Sequence, residues 1–148
     1  MLYSDRPPEE LARYTGFLLG YLGERSRRRF FQMLEPHGFD PREFGLVTVL
    51  LNRPGITQQE LASLARIDPS SMVAVLDSLE ERGIVERRID PRDRRRRAVH
   101  LTDEGQRKWQ MLQREASKTG DAFLSPLTAE ERTALNQLLR KLAGLDDS

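Results

Sequence analysis

The chain has 148 residues, 38% of them hydrophobic and 32% charged, with a formal net charge of +1 and no cysteine. That length suits one domain with extensions and is too short for a catalytic domain plus a separate reader. The missing thiols exclude disulfides, thiolate metal sites and thiol redox sensing, and no apolar run approaches the roughly 20 residues that span a bilayer, so a soluble, cytoplasmic protein with no membrane partner is expected.

From about Pro8 to Leu34, Leu11, Tyr14, Leu18, Tyr21 and Leu22 recur at helical spacing between Pro7-Pro8 and Pro36-His37-Gly38, which predicts one long first helix. Asp40-Pro41 offers an N-cap and a first-turn proline for a compact helix that ends at Asn52-Arg53-Pro54-Gly55. Thr57-Gln58-Gln59-Glu60 has the pattern of a capping box, and Leu61, Leu64 and Ala65 supply a short apolar face behind it. Asp68-Pro69 starts another helix to about Arg82, in which Met72, Val75, Leu76 and Leu79 form one buried stripe and Gly83 is the left-handed stop.

After Gly83 the period changes to alternation. Ile84, Val85, Arg87 and Ile89 on one side, and Ala98, Val99 and Leu101 on the other, predict a β-hairpin with a long arginine-rich tip. Thr102 then caps a long helix carrying Trp109, Leu112, Ala116 and Phe123, and Thr128-Ala129-Glu130-Glu131 opens a last helix with Leu135, Leu138, Leu139 and Leu142. The fold class is mainly α with a small β-hairpin wing.

The near-neutral total hides an uneven distribution. Between positions 82 and 97 stand eight arginines against Glu86, Asp90 and Asp93, a surplus of five positive charges on a short segment. Four of them, Arg94, Arg95, Arg96 and Arg97, are consecutive and repel one another unless a polyanion is present. Two short helices joined by a tight turn and followed by a hairpin is the order of a winged helix-turn-helix module. With Met72, Val75, Leu76 and Leu79 inward, the opposite face of the second helix carries Ser70, Ser71, Val73, Ala74, Asp77 and Ser78, all short enough for the backbone to approach base edges in a major groove. The serines also suit a phosphate at the helix start, although good first-turn propensity explains them equally well.

These motifs resemble the MarR (multiple antibiotic resistance regulator) family. The resemblance rests on Gln59-Glu60-Leu61-Ala62, on Leu79-Glu80-Glu81-Arg82-Gly83-Ile84-Val85 followed by Arg87 and Arg88, and on Asp93-Arg94-Arg95 followed by Leu101-Thr102-Asp103-Glu104-Gly105. It implies a homodimeric regulator that binds double-stranded DNA at a pseudo-palindromic operator, with 8–36 and 103–145 as dimerisation helices around a 41–101 winged helix-turn-helix module, all within a single 1–148 domain. In that family the residues matching Asp93 and Arg95 form a wing motif, the arginine entering the minor groove while the aspartate holds it. The expected DNA contacts are Ser70, Ser71, Val73, Ala74, Ser78, Arg82, Asp93, Arg94, Arg95, Arg96 and Arg97. Val73 and Ala74 fall where members often carry polar or basic side chains, so this helix should favour thymine methyl groups.

The resemblance also implies a small aromatic or anionic effector that relieves DNA binding. Tyr14, Phe17, Tyr21, His37 and Phe44 are the candidate pocket residues, and aromatic side chains packed as core are the plainer account of the same spacing. No cofactor or metal is expected, and no nucleophile, partner base and phosphate cradle come together as in an enzyme. A nonspecific architectural DNA binder and a winged-helix protein-interaction module are the alternative functions; the arginine run argues against the second.

Overall fold

A computed structural model describes residues 6–145. Its elements in chain order are α1 (Glu9–Ala12), α2 (Thr15–Leu34), a single 3-10 turn (Glu35–His37), α3 (Pro41–Asn52), β1 (Ile56–Thr57), α4 (Gln58–Ala65), α5 (Pro69–Glu81), β2 (Val85–Asp90), β3 (Asp93–Leu101), α6 (Asp103–Phe123) and α7 (Ala129–Leu142). The chain divides into two compact units. One comprises residues 1–26 and 117–148, the other residues 27–116, and α2 and α6 each run from one into the other. Among the described residues no helix is long and apolar enough to cross a membrane.

The 27–116 unit holds the hydrophobic core. Leu34, Leu46, Leu50, Leu61, Met72 and Leu76 are fully buried, and Val85 and Val99 bring the sheet onto the same cluster. Trp109 of α6 joins it from below 10% exposure, its indole N–H donating to Thr48 Oγ1 at 3.0 Å, so the one polar atom of that ring is satisfied. Gly105 lets α6 start against the sheet: a Cβ there would meet the Ile84 carbonyl oxygen at 2.1 Å.

Each predicted start signal operates. Asp40 accepts from the Glu43 amide at 2.9 Å while Glu43 accepts from the Asp40 amide at 3.1 Å, and Thr57–Glu60 and Thr128–Glu131 form reciprocal boxes of the same kind. Asp68 caps α5 through the Ser71 amide. Gly83, at φ 72°, ends α5 in the left-handed region, and Ile84 folds back with its amide donating to the Leu79 carbonyl at 2.9 Å.

Three expectations need correction. The first helix is not continuous: α1 ends at Ala12, Arg13 caps it, and the Tyr14 carbonyl accepts the first bond of α2 from Leu18 at 3.1 Å. Periodicity of apolar residues survives such a one-turn break, and Gly16 just beyond it weakens the helix locally. Secondly, the wing is not a bare hairpin. Ile56 and Thr57 pair with Val99 and Ala98, making a three-stranded antiparallel sheet in the order β1-β3-β2; a strand of two residues is too short to show any alternation.

The third correction concerns the wing tip. The strands extend into the segment expected to be loop, with Asp90 paired to Asp93 across a Pro91-Arg92 turn and Ile89 paired to Arg97. Between those two successive pairs Arg94, Arg95 and Arg96 have no counterpart on β2, so they bulge from the ladder. Alternation is missing there because both faces of the tip are wet: residues 94–97 are all exposed.

In the 1–26 and 117–148 unit the described residues form helices joined by short turns, with no strand. Within it Arg132 donates to the Leu127 carbonyl at 3.2 Å and pairs with Asp121 at 3.3 Å, which fixes the turn between α6 and α7. No residue of α7 is buried, although Leu135, Leu138, Leu139 and Leu142 lie on one side of it; Leu138 is 61% and Leu142 73% exposed.

Candidate nucleic-acid interface

Burial of Met72, Leu76 and Leu79 orients α5 and leaves Ser70, Val73, Ala74 and Asp77 on its exposed side, at the spacing of one helical stripe. Ser71, Val75 and Ser78 are half-buried at the edges of that stripe. The start of the helix is more tightly organised than its sequence alone suggests. The Ser70 hydroxyl donates to Asp68 Oδ1 at 2.6 Å and the Ser71 amide donates to the same oxygen at 3.0 Å. Hydrogen bonds from Ser70 first, then Ser71, hold the Asp68 carboxyl well below its ordinary value. Ser70 is therefore part of the cap as well as of the exposed stripe.

In the wing, charges are partly committed and partly free. Asp90 is buried, accepts from the Arg92 amide at 2.9 Å and the Arg92 Nε at 3.2 Å, and is held below its ordinary pKa mainly by that backbone bond. Asp93 Oδ1 accepts from the Arg95 amide at 3.0 Å, and its Oδ2 lies 3.6 Å from Arg96 Nε. The aspartate thus holds Arg95 through its backbone and pairs with the side chain of the neighbouring Arg96. The guanidiniums of Arg94, Arg95 and Arg97 make no ion pair among the described residues, whereas Arg88 pairs with Glu86.

The wing root is tied to α5 by Arg87. Its amide donates to Glu80 Oε1 at 3.0 Å, its Nε donates to Glu80 Oε2 at 3.0 Å, and its terminal nitrogen reaches both Glu80 and Asp77. Those bonds push the Arg87 pKa up and the Glu80 pKa down. Sequence reasoning missed this tie because nothing in the spacing of residues 77, 80 and 87 reveals that a helix and a strand will lie side by side.

Arg82, expected among the DNA contacts, is bonded within the 27–116 unit and partly exposed. It donates to Glu43 Oε1 at 2.9 Å and to the Gly38 carbonyl at 2.8 Å, with its guanidinium 4.6 Å from the centre of the Phe39 ring. Beside it is an open cavity of about 610 Å³ whose walls include Arg28, Phe31, Phe39, Glu43, Ser78 and Arg82.

None of the five residues expected to line an effector pocket is among the walls of that cavity. In the 27–116 unit, Phe44 packs edge-on against Phe30 with ring centres 5.0 Å apart, and His37 Nε2 lies 3.8 Å from Glu115. In the other unit, Phe17 stacks near Tyr21, and Arg25 donates to the Tyr21 hydroxyl at 3.2 Å. Among the described residues no group of three or more histidines and carboxylates is placed to hold a metal ion.

Comparison with known proteins agrees with this geometry. A family model described as MarR family matches residues 37–96, which run from the end of the 3-10 turn into the wing arginines. A putative transcriptional regulatory protein for the hcr operon of Thauera aromatica is 34% identical over 105 residues, 71% of this chain and 63% of that protein; the chain matches less than two thirds of the length of that relative. Among solved structures, the transcriptional repressor CouR bound to a 23-mer DNA duplex is 30% identical with a TM-score of 0.81, covering 95% of this chain and 99% of that one. CouR from Rhodococcus jostii RHA1 bound to p-coumaroyl-CoA is 25% identical with a TM-score of 0.76 over 95% of this chain and 99% of that one. With the helix-turn-helix, the three-stranded wing and these relatives all in agreement, the chain belongs to the MarR family of winged helix-turn-helix transcriptional regulators.

Proposed function

We propose that the protein is a homodimeric repressor that binds a pseudo-palindromic operator in double-stranded DNA and is released by a small aromatic or anionic ligand. The observation that carries DNA binding is the pairing of two unlike surfaces in one unit: an α5 stripe of short side chains, and a wing bulge whose Arg94 and Arg95 have no ion-pair partner among the described residues. The stripe suits the major groove, where Val73 and Ala74 favour thymine methyls and Ser70, Ser71 and Ser78 supply hydrogen bonds at its start and edge. Arg95, with its backbone fixed by Asp93, suits the negative potential of a narrow minor groove; Arg94, Arg96 and Arg97 suit the flanking phosphates.

Dimerisation is supported by the exposed leucines of α7, whose regular stripe is left unburied among the described residues. A two-fold dimer asks for half-sites about one helical turn apart. Release by a ligand is supported by the CouR structures and by the cavity beside Arg82, which is walled by aromatic and charged side chains. A ligand releases DNA only if it binds the free arrangement better than the DNA-bound one.

Selection of duplexes from a random pool tests the reading, with wild type beside Arg95→Ala at near-physiological salt. The expected result is an enriched inverted repeat, bound more weakly by Arg95→Ala by about 1–3 kcal/mol. Recovery of DNA without any motif would indicate an architectural binder, and recovery of none would remove DNA as the partner.

A further inference from the structure

An acid on a DNA-facing surface is costly unless it meets a donor, and Asp77 is such an acid. It is the one carboxylate among Ser70, Val73, Ala74 and Asp77 on the exposed stripe of α5, and its side chain is 56% exposed. Its Oδ1 accepts from the Arg87 guanidinium, while its Oδ2 accepts no hydrogen bond among the described residues. That bond is not needed to place Arg87, because Glu80 already takes the Arg87 amide, Nε and terminal nitrogen. Arg87 has the converse effect: it offsets the Asp77 charge and fixes one oxygen, leaving the other with open acceptor sites beside residues suited to base edges.

We infer that Asp77 is a specificity-determining residue that accepts a hydrogen bond from the N4 amino group of a cytosine in each half-site. The inference rests on the DNA-binding reading above. The chemistry selects cytosine from the four bases. Guanine presents only acceptors in the major groove and thymine an acceptor and a methyl, so both repel or ignore a carboxylate. Adenine has an amino group, but its N7 acceptor sits beside it, whereas cytosine offers N4–H without an adjacent acceptor on the same base. Ser70, Val73 and Ala74 provide no charge to override that preference, so the acid decides its position in the site.

The test is selection from a random duplex pool with wild type, Asp77→Asn and Asp77→Ala, followed by affinity measurements on the selected operator and on one with the cytosine pair replaced. Wild type is expected to enrich cytosine at one position per half-site and to discriminate against its replacement roughly tenfold or more. Asp77→Asn keeps the side-chain shape and should shift that position to adenine, whose N6 and N7 match an amide; Asp77→Ala should lose the preference there and keep the others. The salt dependence of binding should stay the same in both variants, since no phosphate contact is removed. Identical base preferences in all three proteins would overturn the inference while leaving the DNA-binding reading intact, even if the variants bind more weakly or melt earlier. Absence of any motif for wild type would overturn the reading and the inference with it.

Discussion

The helix α5 and the helix α7 carry apolar stripes of the same regularity, yet one disappears into a core and the other stays in water. In α5 the stripe of Met72, Leu76 and Leu79 is fully buried, opposed by α3, α4 and the sheet. In α7 the stripe of Leu135, Leu138, Leu139 and Leu142 includes no buried residue. The periodicity of a sequence says which face is apolar; it does not say whether the same chain covers it. The 27–116 unit thus buries its own apolar stripe, while the described residues of the other unit leave that of α7 exposed.

The 27–116 unit is tightest where α6 meets Ile84. Gly105→Ala drives a Cβ to within 2.1 Å of the Ile84 carbonyl oxygen, a backbone atom that cannot swing away. It should cost about 3 kcal/mol of stability, the upper part of the range for overpacked sites. Chemical denaturation checks this, and a loss below about 1 kcal/mol would mean that α6 shifts freely against the sheet.

The opposite experiment strikes the open unit. Leu138→Asp combined with Leu142→Asp removes apolar surface that the chain itself leaves exposed. Folding of the monomer should be nearly unaffected, the dimer should dissociate in sedimentation analysis, and affinity for a two-half-site operator should fall roughly hundredfold as the second contact ceases to be intramolecular. An unchanged oligomeric state with intact DNA binding would place the interface elsewhere.

A milder effect on the 27–116 unit comes through pH. Asp68 has its pKa depressed in the folded state by Ser70 and Ser71, so its contribution is complete above the ordinary carboxylate range and is lost as the pH falls below about 4 toward the folded value. Asp90 and Glu80 add depressed pKa values in the same unit, from Arg92 and Arg87 respectively. Melting temperature should therefore drop on acidification, and less steeply for Asp68→Asn than for wild type, while the variant itself melts slightly lower at neutral pH. Parallel pH profiles for the two proteins would show that the cap is as strong when protonated.

Much of the helical framework was legible because its signals are local. Asp40, Thr57, Asp68 and Thr128 each bond within three residues of themselves, Gly83 stops a helix through its own φ, and the Met72–Leu79 stripe follows from the pitch of the helix. The exposed α5 stripe followed in turn, since choosing the buried face chooses the other. The run of wing arginines was visible as charge.

What stayed hidden depends on groups far apart in the chain or on a break too small to disturb the pattern. The pause at Arg13 and Tyr14 leaves helical spacing intact on both sides. The two-residue β1 exists only because β3 offers it a partner more than forty residues later. Arg82 and Arg87 look alike in the sequence, two arginines in one basic segment, and the fold gives them different tasks: one reaches back to Glu43 and Gly38, the other joins the wing to Glu80 and Asp77. The helices, their caps, the apolar faces and the basic wing could be read from the residues alone, because neighbours within a few positions set them. Which arginines are paired within the fold and which stay unpaired on the wing depends on tertiary contacts, because a guanidinium pairs with whatever carboxylate the folded chain brings within reach.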